Sequence, residues 1–278
     1  MFRTMRSLLS IRRLAPVAIV AAVLAACVSA APSATVPAVS GCAADSHLAV
    51  GGADIRLSFD AGDFPAAGAV QICAWTGRAA AAVSDYYGRF PVQRVRIVLK
   101  PVHGSRVRGG TTFGHGDAGE PLIVIRLGRE VGAEQLDDDW TMTHEMVHLA
   151  VPSVPDQSHW LEEGIATYVE PVARVRVGQL RAERIWADML HGMPKGLPAA
   201  GDEGLDRTPT WGRTYWGGAL FCLMADVEIR RRTDNRKGLR DALRGVLAAG
   251  GDIRQDWPVE RVLAAGDQAT GVDVLASL

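Results

Sequence analysis

Residues Trp140 to Pro171 read WTMTHEMVHLAVPSVPDQSHWLEEGIATYVEP, and the rest of the chain is organised around them. The stretch contains His144-Glu145-Met146-Val147-His148. On a helix, residues four apart lie on one face, one turn above the other. His144 and His148 can therefore offer two imidazole nitrogens to one metal ion. Glu145 projects about a quarter-turn further round the helix, which sets its carboxylate beside the metal, where it can take a proton from an activated water. Met142, Met146, Val147, Leu149 and Ala150 give the helix apolar positions, and Asp137 to Asp139 put acidic residues near its start. Taken alone, the pattern also fits a buried helix with two incidental histidines. The segment Trp160 to Glu170, reached through a turn containing Pro152 and Pro155, weighs against that by supplying carboxylates on a second helix. A catalytic zinc site takes three protein ligands and leaves one position open for water, and two His plus one Glu complete that set.

His-Glu-x-x-His followed by Trp-Leu-x-Glu-Gly-x-Ala-x-Tyr resembles the gluzincin clan of zinc metallopeptidases, and most of all the aminopeptidase N and glycyl-aminopeptidase families. The resemblance spans roughly residues 90 to 265. It implies an α+β, thermolysin-like catalytic domain, with a small mixed sheet followed by a helical active-site part and a C-terminal helical part. It also implies one Zn2+ per chain and a peptide or protein substrate. The Glu before the Gly is the family's third ligand, which maps onto Glu163; Glu162 is the fallback, and His159, one turn earlier, is a competitor better suited to a supporting or surface place. The interval from His148 to Glu163 is shorter than in aminopeptidase N, so the intervening turn must differ. The metzincin pattern is excluded, because Val151 and Val154 stand where it needs Gly and His.

Further along, Tyr215-Trp216-Gly217-Gly218-Ala219-Leu220 resembles the Tyr-x-x-Gly-x-Leu helix of the glycyl-aminopeptidases. That match implies Tyr215 as the hydroxyl that stabilises the oxyanion, with Tyr168 structural. Gly217 and Gly218 would permit close helix approach, and Asp226 with Arg230 makes an i, i+4 ion pair. In gluzincins the strand before the active helix is an edge strand that pairs with extended substrate, and Leu122 to Leu127 is the best match in order and type. The Gly-x-Met-Glu-Asn motif that holds a substrate's free amine in aminopeptidase N relatives does not occur here, and Glu120 is an isolated acid in that region. The departure leaves endo- against exopeptidase activity open, with Glu120 the one acid that could serve there, and does not touch the metal site. The chain has no room for the β-sandwich domains of the large aminopeptidases.

The first 26 residues read as a signal peptide. Arg3, Arg6, Arg12 and Arg13 form a basic start, and Leu14 to Ala26 is apolar apart from Pro16, too short for an ordinary membrane span. Leu24-Ala25-Ala26-Cys27 resembles the bacterial lipobox, which implies lipidation of Cys27 after cleavage before it. Cleavage after Ala30, behind Val28-Ser29, is the secretory alternative. Val28 after the Cys favours an outer-membrane lipoprotein facing the periplasm; the alternative is a secreted or soluble periplasmic protein. Residues 27–41 then form the lipid anchor and a flexible linker rich in small residues and Pro, and residues 42–278 form the metallopeptidase domain. Export suits a disulfide between Cys42 and Cys73, while Cys222, in an apolar helical stretch, reads as a buried free thiol.

With a formal net charge of -1 and 48% hydrophobic residues, the composition describes a folded protein with no call for nucleic acid. Membrane contact is expected only through the N-terminal anchor. Residues 47 to 131 read as the sheet region. Strands are expected over Ile55–Phe59, Val92–Leu99 and Pro121–Leu127, and a helix over Ala66–Tyr87 stopped by Gly88 and Pro91. Gly109 to Gly119 reads as a glycine-rich loop or short hairpin. Helices are expected over Val172–Leu190, from about Leu220 to Arg230, over Lys237–Ala249 and over Pro258–Ala265, with a loop over Gly192–Pro209. Two functions follow: a zinc-dependent peptidase, or a catalytically silent envelope lipoprotein whose cleft binds a peptide or protein. The presence of Glu145 favours the enzyme, since binding needs no general base.

Overall fold

The computed structural model describes Cys42 and residues 45–59, 67–116 and 119–278. The signal, Cys27 and linker readings lie outside the described residues.

Five strands form one mixed sheet: β1 (Asp45–Val50), β2 (Ala53–Phe59), β3 (Arg94–Val102), β4 (Val107–Phe113) and β5 (Leu122–Gly128), in the spatial order β1-β2-β3-β5-β4. The pairs β2/β3 and β3/β5 are parallel, and the pairs β1/β2 and β4/β5 are antiparallel. Alternate residues of the inner strands, Ile55, Leu57, Val95, Ile97, Leu99, Ile123, Ile125 and Leu127, are buried. The residues between them are more exposed, the period-two signature of a sheet with one covered face. The connection from β2 to its parallel neighbour β3 passes through α1 (Gly68–Tyr87), as a parallel pair requires. Ile72, Trp75, Val83 and Tyr87 are buried as their spacing predicts, whereas Val70 faces solvent. Gly88 ends the helix at φ 84°, a conformation that favours glycine.

The sheet corrects one expectation. Strand β5 lies between β3 and β4, and the edge strand beside the active-site helix is β4. The glycine-rich stretch expected to be a loop or hairpin thus begins with a true strand. Its Gly109 and Gly110 give little strand propensity, and Gly109 sits at a register irregularity with φ 132°. Strand β1 also begins before the expected sheet region.

The rest is helical: α2 (Ala133–Asp138), α3 (Thr141–His148), α4 (His159–Arg176), α5 (Ala182–Gly192), α6 (Gly218–Arg232), α7 (Leu239–Ala248) and α8 (Val259–Thr270). A π-helical turn over Gly212–Gly217 leads into α6. The class is α+β, with a small sheet followed by helices. The acids Asp137 and Asp138 close α2 rather than open α3, and Asp139 supplies the cap, accepting from the Met142 amide at 3.2 Å. Helix α4 continues through Pro171, so the break falls at Val177–Arg181 and divides the expected Val172–Leu190 helix. Among the described residues no helix is long and apolar enough to cross a membrane.

Candidate active site

Helix α3 packs between β4 and α4, and His144, Glu145, His148 and Glu163 are all buried. Its two histidine rings lie one turn apart, with centroids 5.0 Å from each other. The turn from α3 to α4 is short and pinned. Ser153 accepts from the Trp257 amide at 2.9 Å and donates its own amide to the Gln255 carbonyl at 2.8 Å.

The same turn separates the two adjacent glutamates. Glu162 accepts the Val154 amide at 2.8 Å, so its carboxylate belongs to the turn. Glu163 points the other way. Its Oε2 lies 3.1 Å from His144 Nε2 and 3.8 Å from His148 Nε2. One donor atom from each of His144, His148 and Glu163 falls within 4.8 Å of the others, and all three residues are buried. A cluster of two imidazole nitrogens and one carboxylate oxygen fits zinc by size and by ligand type. Burial pushes the His148 pKa down to about 3, with His144 adding to the effect. His148 is thus neutral, the form that offers a lone pair to a metal, and its approach to Glu163 is not an ion pair. Burial alone would raise Glu163, but hydrogen bonds from His144 and His159 outweigh it and hold the carboxyl far below its usual range.

His159 is not a member of this cluster. It donates from Nδ1 to Glu162 at 2.8 Å, and its Nε2 lies 3.2 Å from Glu163 Oε1. Those hydrogen bonds raise its pKa to about 10. A half-exposed cation therefore braces both glutamates from the solvent side.

Glu145 lies on the opposite flank. Thr112, on edge strand β4, donates its hydroxyl to Glu145 Oε2 at 2.7 Å. Burial is the main influence on the Glu145 carboxyl and raises its pKa, partly offset by the Thr112 hydrogen bond. The strand comes this close because residue 110 is glycine: a Cβ there would sit 2.5 Å from Glu145 Cγ. Gly110 and Thr112 are the two site residues that sequence reasoning missed. The β-branched Val107, Thr111 and Thr112 around the glycines were the available signal.

Tyr215 reaches the site from the π-helical turn, its ring stacked on His144 at 6.4 Å between centroids. Burial, with Glu163 and Glu145 nearby, pushes its hydroxyl up to about 12, so it remains a donor. Tyr168 is buried instead and donates to Asp226 at 3.2 Å. Asp226 also takes the expected contact with Arg230 at 3.0 Å and accepts the Leu239 amide at 2.6 Å. Helices α4 and α6 meet through glycine: a Cβ on Gly218 would lie 2.2 Å from the Trp160 carbonyl oxygen and 2.7 Å from Gly164 Cα.

His144, Glu145, His148, Glu163 and Tyr215 share a cleft of about 650 Å3 walled on one side by residues 109–115. Glu120 does not line it, and its carbonyl instead accepts the Gly116 amide at 2.7 Å. Elsewhere, Cys42 and Cys73 are bonded, with Cα atoms 6.3 Å apart, and Cys222 is free and buried.

No protein-family model and no curated protein matches the chain. Solved structures do. The aminopeptidase N family protein from Idiomarina loihiensis aligns with a TM-score of 0.56 at 15% identity, over 74% of this chain and 41% of that one. The M1 zinc metallopeptidase from Deinococcus radiodurans aligns with a TM-score of 0.53 at 17% identity, over 85% of this chain and 49% of that one. A mutant of that peptidase bound to a Tyr-Ser-Ala substrate aligns with a TM-score of 0.52 at 17% identity, over 81% and 47%. The likeness is one of fold. The chain spans about half the length of these relatives or less.

Proposed function

We propose that the protein is a gluzincin-type zinc peptidase with a thermolysin-like catalytic domain over residues 42–278. The observation that carries this reading is the buried convergence of His144, His148 and Glu163, with the Glu145 carboxylate beside them, in an open cleft. His144, His148 and Glu163 would hold one zinc ion. Zinc there supplies Lewis acidity, which brings the pKa of water toward neutrality and polarises a peptide carbonyl. Glu145 takes a proton from the attacking water at its Oε and later delivers it to the leaving amine. Thr112 keeps that carboxylate aimed. Tyr215 donates to the oxyanion, a contact typically worth about 3 kcal/mol. The substrate pairs with the free edge of β4, which replaces β5 in that role.

Zinc analysis of the parent and of Glu145→Gln, alongside a peptide-cleavage assay with chelation and zinc add-back, tests this. One zinc per chain in both proteins is expected, with cleavage reduced about 10³-fold in the variant. Equal turnover would remove Glu145 from the mechanism. Zinc-free parent protein after reconstitution would leave a peptide-binding protein as the better account.

The location belongs to the same proposal: export under the signal of residues 1–26, lipidation at Cys27, and an outer-membrane address facing the periplasm. Labelled palmitate incorporated into the parent and absent from Cys27→Ser is the expected result. No labelling of either would favour the secretory cleavage after Ala30, and equal labelling of the two would place the lipid on another residue.

A further inference from the structure

The sheet has one covered face and one open face. Successive residues of a strand point to opposite faces, and the strand register aligns them into rows. On the open face one row reads Arg56, Arg96 and Leu122, the next Ser58, Val98 and Val124, and the next Lys100 and Arg126. Arg94 stands one row before, opposite Asp54. Arg56, Arg94, Lys100 and Arg126 are exposed, and Arg96 is half-buried. These cations share an area of about 10 by 20 Å. The acids at the described positions of this face are Asp45 and Asp54, and Asp54 is engaged by His47 at 2.8 Å. Among the described residues none of the cations has a carboxylate partner, and Arg96 Nε is shielded from solvent with no acceptor in reach. The helical part is built differently: Arg174, Arg176, Arg213, Arg230 and Arg254 each meet a carboxylate at 3.0 Å or closer. Arg56 sits directly opposite Arg96, and Lys100 opposite Arg126. Like charges so placed repel and destabilise a sheet, and an anionic surface laid over them would relieve that repulsion. Val98 and Val124, both half-buried, form an apolar row between the two charged ones.

We propose that the open sheet face docks the protein on a bilayer that contains anionic phospholipid, with Arg56, Arg94, Arg96, Lys100 and Arg126 against the lipid phosphates. The proposal rests on the envelope location given above for the nearness of a membrane, and on the strand register for the charge. Residues 28–41 carry no charge and lead through Cys42 into β1, an edge strand of this same sheet. A flexible tether of that length has a root-mean-square span of about 20 Å. A lipid on Cys27 would therefore hold the sheet near the bilayer at high effective concentration. An uncharged linker adds no attraction of its own, so the basic face supplies it. Docking of this kind leaves the cleft clear. Gly110 and Thr112 of β4 approach Glu145 of α3 on the covered side, so the metal cluster lies across the sheet from the lipid.

The test is cosedimentation with vesicles of the chain freed of its signal and carrying Cys27→Ser, so that no lipid is attached. Vesicles of phosphatidylcholine with about one-third phosphatidylglycerol should pellet the protein, phosphatidylcholine alone should not, and high salt should release it. Each cation near an anionic surface strengthens binding about five-fold, so Arg56→Gln combined with Arg126→Gln should weaken it about 25-fold. Both side chains are exposed, and each substitution removes one member of a like-charged pair, so Tm should stay equal or rise. Arg181→Gln combined with Arg231→Gln takes the same charge from exposed helical positions and should change binding less than about two-fold. No pelleting by either vesicle, pelleting by both alike, or equal weakening by the two double variants overturns the proposal. Capture of soluble polyglutamate without binding to vesicles overturns it too, and assigns the face to an acidic protein partner. Because the tested chain carries no lipid, none of these outcomes bears on palmitate labelling of Cys27, and absence of that labelling leaves the vesicle result to stand or fall by itself.

Discussion

At the scale of single residues, the site turns on which of two adjacent glutamates faces the histidines. Glu162 is held by the Val154 amide and by His159, and Glu163 by His144 and His159. The two substitutions should therefore separate. Glu163→Ala should abolish stable zinc binding. Glu162→Ala should retain one zinc but destabilise the fold by about 1–3 kcal/mol, the cost of leaving a part-buried amide and a charged histidine without their acceptor. Zinc analysis with urea denaturation distinguishes the outcomes, and zinc lost from Glu162→Ala with zinc retained by Glu163→Ala would reverse the assignment. Gly110 is a second such point. In Gly110→Ala the new methyl would occupy the space of the Glu145 side chain, so the carboxylate must move while the metal cluster stays intact. Cleavage should fall at least ten-fold with zinc content unchanged. Helix periodicity alone puts His144, Glu145 and His148 together, so those three were legible in advance, whereas Gly110 was not. The choice between Glu162 and Glu163 came instead from resemblance, because propensity cannot say which of two neighbours a turn will claim.

At the scale of elements, legibility followed periodicity. Strands β2 and β3 alternate, β5 is a short apolar run between Pro121 and Gly128, and the apolar positions of α1 recur at helical spacing, so their existence was readable to within a few residues. Helix α6 exists as expected but buries Ala219, Cys222, Ala225 and Ile229, not the face of Leu220, Leu223, Met224 and Val227, of which Met224 is exposed. Strand β4 was not readable. Its glycines serve contacts with Glu145 and with β5 that are distant in sequence, and those same glycines erase the local strand signal. The break after α4 was missed for the converse reason. Pro171 looks like a boundary, yet packing of α4 against α6 and the π-helical turn carries the helix past it. That packing depends on backbone contact at Gly164 and Gly218. Gly218→Ala must push the helices apart or distort them, and overpacking of this kind costs about 1–3 kcal/mol. It also shifts Tyr215, which precedes α6 directly, relative to Glu163. Chemical denaturation should show the stability loss, and kcat should fall with zinc retained. A fully stable, fully active variant would mean that the helices do not rely on this contact to align the hydroxyl with the metal cluster.

At the scale of the whole molecule, the candidate metal centre joins two helices that already pack on each other and on α1. His144 and His148 come from α3, which rests on β4 and β5, whereas Glu163 comes from α4, which rests on α6 and the π-helical turn. A zinc ion held by all three would bind the folded chain and not the unfolded one. Its affinity then appears as folding stability, at about 4 kcal/mol when free zinc exceeds the dissociation constant a thousand-fold. For a domain of this size each kcal/mol moves Tm by about 2–4 °C. Chelation should therefore lower Tm by roughly 8–16 °C, and zinc add-back should restore it. In Glu163→Ala the Tm should be low and indifferent to chelator. The disulfide between Cys42 and Cys73 supplies the control, because it ties the chain before β1 to α1, away from the cleft. Its loss in Cys42→Ala should cost about 3–4 kcal/mol through loop entropy while leaving the zinc-dependent part of the Tm shift intact. Scanning calorimetry of the parent and both variants, each with and without chelator, separates the two contributions. A zinc response of equal size in Glu163→Ala and the parent would mean that the metal is held elsewhere.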